Sequence, residues 1–246
     1  MTGELTEALS PTPTDVPGVI RTLGAVKEAA ATVVPRGPKD GIAAFTTLYE
    51  QITCGVQKAV EAGLFEAGSF ITDLDVAFAC RFLSALHALE NGGTVPRCWN
   101  VLFDVRSKDG VPTLNYAMAG VNAHVNFDLT FALLTAWEDH PDPAERDAQH
   151  RDYCRINDIF YANMDSLRAE FDSPLSEYGD GSVPDWAGNE IGDFLVRTTR
   201  DLAWHQAMKM WPYRTDKNYC ATEEARQDHI AAWLGHGIIG AKYVPA

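Results

Sequence analysis

With 246 residues and 46% hydrophobic content, the chain is long enough to bury roughly 70% of its unfolded surface, which excludes disorder of the whole chain. Thirty-four acidic against 20 basic residues leave a net charge of −14. No Lys/Arg cluster is present to release counterions from phosphate, so nucleic acid is not an expected partner, nor is an anionic membrane surface; a small neutral or cationic molecule, or another subunit in a homo-oligomer, fits better.

In chain order, residues 1–16 carry Glu4, Glu7 and Asp15 with scattered prolines and no apolar run. They read as a flexible N-terminal tail rather than a signal peptide. From residue 17 to 246, apolar residues recur at helical spacing and strand-like alternation is scarce, so one all-α domain is expected. Helices are predicted over 18–33 and 40–62, split by Val34-Pro35-Arg36-Gly37-Pro38, with Asp40 as N-cap and Gly63 just past the end. Further helices are predicted over 73–90, where Asp73-Leu74-Asp75 reads as a cap, and over 96–106. The longest unbroken pattern runs from Pro112 to Asp139, followed by helices over 143–171, 185–211 and 221–234, with a Ser/Gly/Asp/Pro-rich loop at 172–184 and a Gly-rich tail. The result is a single-domain bundle of seven to eight helices. No run of 18 apolar residues suggests a membrane span.

Cys54, Cys80, Cys98, Cys154 and Cys220 form no C-x-x-C pair. They read as reduced, core-filling thiols in a cytoplasmic protein, and a thiolate zinc site is not expected.

With nucleotide-binding, zinc-protease and nucleophile-elbow signatures absent, the informative residues are polar ones on apolar helix faces, where burial is costly without partners. His124 and Asp128 stand one turn apart in the longest helix. The pair is open to three readings: a structural tie between helices, an acid/base pair in which the carboxylate orients the imidazole, or two ligands for a divalent metal. Asn122 and Asn126 flank it, with interhelical hydrogen bonding as their plainer role. His87 sits on the 73–90 helix, three residues before Glu90. Asp158, with Tyr161 and Asp165, lies on the 143–171 helix; a carboxylate buried there would need a partner. Asp147 and His150 belong to that helix's solvated start. Asp193, Arg197, Asp201 and His205 form an exposed ion-paired face, whereas Arg200 shares a face with Trp204, Met208 and Trp211 and is a candidate to meet Asp128, Asp158 or a substrate oxyanion.

The stretch Tyr116-Ala-Met-Ala-Gly-Val-Asn-Ala-His-Val-Asn-Phe-Asp-Leu-Thr resembles the central Gly-x-Asn-Ala-His-x-Asn-x-Asp-Leu motif of domain-of-unknown-function family 5995. The resemblance extends over about residues 40–210. It implies a helical domain in which Asn122, His124, Asn126 and Asp128 are site residues, in an actinobacterial, cytoplasmic setting within specialised metabolism. It names no chemistry.

The placement of these residues leads to an expected enzyme of cyclase, isomerase or lyase type, working without a cofactor on a small, largely apolar substrate. His124 and Asp128 would carry the acid/base step with Asp158 and Arg200, and Asn122, Asn126, His87, Tyr161 and Trp204 would line the substrate. A metal-dependent hydrolase with His124 and Asp128 as ligands, and a non-catalytic ligand-binding or scaffold protein, are the alternatives.

Overall fold

Apolar stripes at three- and four-residue intervals fold as helices that bury them against one another. The computed structural model describes residues 3–33, 37–172 and 190–240, except for the side chains of 163–172 and 190–196. In chain order the helices are α1 (Gly3–Ala8), α2 (Val16–Ala31), α3 (Gly41–Glu61), α4 (Gly68–Glu90), α5 (Arg97–Phe103), α6 (Thr113–Ala123), α7 (Leu129–Asp139), α8 (Arg146–Asp172), α9 (Glu190–Met210) and α10 (Lys217–Ile239). A π-helical turn, His124–Asp128, joins α6 to α7. Counting α6 through α7 as one rod gives nine helices and no strand among the described residues, an all-α bundle. None is long and apolar enough to cross a membrane. The predicted loop beyond residue 172, the helix start at 185 and the side chains of Asp165 and Asp193 lie outside the described residues.

Local chemistry accounts for several boundaries. Asp40 caps α3 by accepting from the backbone N–H groups of Ile42 and Ala43, while its other oxygen accepts from Arg106 Nε at 2.8 Å. Both partners of that ion pair are buried, so losing either leaves an uncompensated charge. Gly63, at φ 65°, takes the left-handed position past the α3 end.

Other boundaries differ from those predicted, each because a distant element intervenes. The segment read as a tail contains α1, whose Leu5 is buried; one apolar side chain finds a place in the core beside α2. Helix α4 starts at Gly68 rather than 73, because Asp152 of α8 accepts from Ala67 N at 2.6 Å and caps it from across the fold. Asp75 is therefore mid-helix and buried, not a cap. Asp228 of α10 likewise caps α5 through the N–H groups of Arg97 and Cys98. Helix α10 runs through the predicted glycine tail to Ile239. Gly235 is buried there, and a Cβ on it would stand 3.2 Å from Asn122 Nδ2 and Val101 Cγ1, so glycine permits a close helix crossing instead of ending the helix.

The core centres on α3, α4, α5 and the α6–α7 rod, filled by Phe45, Phe82, Trp99, Tyr116 and Phe127. Each such side chain contributes about 1.5–3 kcal/mol on burial. Gly120 sets the α3–α6 approach: a Cβ there would lie 2.4 Å from the Phe45 ring. That contact places the next turn, which begins at His124, against the aromatic face of α3.

Candidate functional site

The π turn distinguishes this part of the rod. One extra residue per turn is costly in a helix and recurs at functional positions. Here the turn spans the residues from His124 to Asp128. His124 Nδ1 lies 3.0 Å from Asp128 Oδ2. A carboxylate oxygen accepts, so Nδ1 carries the hydrogen and Nε2 the lone pair.

Three N–H donors converge on Asp128. Besides His124, Trp99 Nε1 donates to Oδ2 and Arg81 Nε to Oδ1, each at 3.0 Å. Arg81 in turn donates through Nη2 to Glu224 Oε1 of α10 at 3.1 Å, and its guanidinium lies over the rings of Phe127 and Phe131. Asp128 is almost fully buried, while Arg81 is about one-quarter exposed at 26%. The guanidinium thus links the sealed carboxylate to the surface.

His124 is walled by aromatic rings. Phe78 stacks on it at 3.4 Å and 7°, Tyr49 meets it edge-on at 4.6 Å, and Phe45, Trp99 and Phe82 complete the enclosure. Burial holds its pKa below the ordinary 6.5, against the opposing pull of the Asp128 carboxylate, so the neutral base is the resident form near neutrality. Its Nε2 is buried with no hydrogen-bond partner.

Two other groups share that condition. Tyr49 Oη and Asp75 Oδ2 are also buried and unpartnered. Burial pushes the Asp75 carboxyl up to about 7; burial and the nearby Asp75 and Asp128 charges raise the Tyr49 hydroxyl. Such orphaned atoms in a native core call for an explanation, and an absent guest or water is one.

A groove of about 570 Å³ reaches the centre from outside, lined by Asp73, Cys80, Arg81, Asp128, Thr135 and Asp139 among others. Its charged lining is mainly acidic. A wider groove, about 690 Å³, lies between the N-terminal segment and α2 and includes none of these groups. His124 lines neither groove.

The other sequence candidates disperse. Asn122 Nδ2 donates to the Ala231 carbonyl of α10, and Asn126 Nδ2 to Asn122 Oδ1, so both serve helix packing. Arg200 does not pair with Asp128 or Asp158; it is buried over the Tyr153 ring and donates to the Tyr153 carbonyl. Asp158 and His87 are exposed because they face outward from α8 and α4, so neither needs a buried partner. Among the described side chains of α8, the buried carboxylate is Asp152 instead. Tyr161 lies under Arg197, and Trp204 is buried in a second aromatic cluster with Trp137, His150 and Tyr153. The groups that touch the dyad, Arg81, Trp99 and Tyr49, escaped the sequence reading, as did the buried Asp75. Asp75 had a visible signal, since it shares the helical register of Phe78 and Phe82 at i+3 and i+7; Trp99 and Arg81 had none, since they come from separate helices.

The sequence pattern of the family of unknown function DUF5995 matches residues 16–241, and the chain belongs to that family. No curated protein and no solved structure matches it.

Proposed function

We propose that this DUF5995 member is an acid–base enzyme of cyclase, isomerase or lyase type, acting on a small, largely apolar molecule. The observation that carries the reading is His124 Nε2: a neutral imidazole nitrogen, buried without a partner, on a ring oriented through Nδ1 by a carboxylate that three donors hold in place. That arrangement is a base with its tautomer set. Asp75, a buried carboxyl pushed up to about 7, is a second titratable group whose charge acts on Tyr49, and the Tyr49 ring meets His124. Aromatic walls suit an apolar guest, and the acidic groove suits a neutral or amine-bearing one.

Metal ligation by His124 and Asp128 has less support, because a cation on Asp128 would compete with the Arg81 guanidinium already there. A non-catalytic ligand-binding role is favoured by one observation: His124 lines neither groove.

A panel of small carbonyl and alkene compounds, incubated in D₂O and read by mass spectrometry, separates these readings. Wild-type protein is expected to exchange or convert a panel member at least about 100-fold faster than His124→Gln. Turnover that survives His124→Gln in a protein with wild-type melting behaviour sinks the catalytic reading. Unchanged ligand affinity with a lowered Tm favours the binding role.

A further inference from the structure

A second histidine with a partner four residues on lies elsewhere in the fold. His150 and Cys154 share one face of α8, with Nε2 and Sγ 3.7 Å apart, and Asp201 of α9 faces them. The ligand atoms of all three lie within 4.8 Å of one another, the one such trio of His, Cys, Asp or Glu found among the described residues. We propose that His150, Cys154 and Asp201 form a binding site for a divalent ion of borderline softness, zinc foremost.

The donor set is the first argument. One imidazole, one thiolate and one carboxylate are the three donor types zinc takes, and oxygen-seeking magnesium or calcium has no use for the sulfur. Geometry is the second. Donors around a tetrahedral zinc stand about 3.5 Å apart, so the 3.7 Å pair already fits, and closing the rest from 4.8 Å takes small rotamer changes in half-buried side chains. Orientation is the third. The His150 ring packs at 4.7 Å against Trp204, itself buried, so the imidazole is held in place before an ion arrives. Three protein donors leave one coordination position open, as in zinc sites that hold a water.

Charge is compatible. Burial and the Asp201 carboxylate raise the Cys154 thiol, with Arg200 and Arg197 opposing them. A dication reverses this balance, since a coordinating thiol gives up its proton. Binding therefore releases that proton to solvent, and affinity rises with pH.

Cobalt(II) titration of the full chain, purified under reducing and chelating conditions, tests the site. One equivalent is expected to produce a thiolate-to-cobalt charge-transfer absorption, which zinc then displaces. Cys154→Ser should abolish the band and Cys80→Ser keep it, and His150→Ala or Asp201→Asn should weaken binding at least about tenfold. Circular dichroism of each variant identifies any that fails to fold; the two non-cysteine variants then stand in for Cys154→Ser. A wild-type protein with no saturable band, or a band that persists in folded Cys154→Ser, overturns the proposal. Both readouts are independent of any activity at His124.

Discussion

Two histidines in this protein carry a partner four residues later, and they differ in almost everything else. His124 and Asp128 are buried in the core, the carboxylate held by Trp99 and Arg81. His150 and Cys154 lie half-buried between α8 and α9, with Asp201 across from them. The same spacing thus yields a buried imidazole oriented by a carboxylate in one place and a half-buried His–Cys pair beside a carboxylate in the other. Burial separates them: the desolvated carboxylate depends on internal donors, while the half-buried pair can also exchange contacts with water.

The comparison breaks most visibly if the sealed centre tolerates truncation. Asp128→Ala strands the Trp99 indole N–H and the His124 ring and leaves Arg81 only Glu224, and is expected to cost about 3–5 kcal/mol in urea unfolding. A loss below about 1 kcal/mol would show that the network is not the buried lock described.

A smaller effect sharpens the electrostatics. The Asp75 pKa is raised from 3.8 to about 7 in the folded state, so folding favours its protonated form. The stability this gives is fully present below the unfolded value and is lost as pH rises through the folded one. His124 has the opposite sign: its folded pKa is depressed below 6.5, so its contribution is present above that value and is lost as pH falls. Asp75→Asn removes the first dependence alone. It is expected to stabilise the protein by about 1–3 kcal/mol near pH 8 and to give no such gain near pH 4, measured by denaturant unfolding at both. An equal gain at the two pH values would refute ionisation of Asp75 as the cause.

The smallest expected effect belongs to the open site. Cys154→Ser should change stability by no more than about 1 kcal/mol without metal, since the side chain is only half-buried and the swap keeps its size. Added zinc should raise the Tm of wild-type protein but not of this variant.

How much of this was legible beforehand varies by residue. Helix periodicity exposed the all-α class, and Asp40 and Gly63 marked the ends of α3. Four-residue spacing put His124 and Asp128 on one face, where the side chains do meet. These are local properties, governed by backbone geometry over a turn or two.

Sequence by itself therefore determined the helices from α2 onward, most of their described ends and which pairs share a face. Only tertiary structure decided that Asp152 and Asp228 cap helices far along the chain, that Gly235 marks a helix crossing rather than a helix end, and that Arg81 rather than Arg200 meets Asp128. It also turned Asp158 and His87 outward and brought Asp201 to His150. The physical reason is that burial and partner choice depend on packing between elements distant in sequence, which no window of local periodicity encodes.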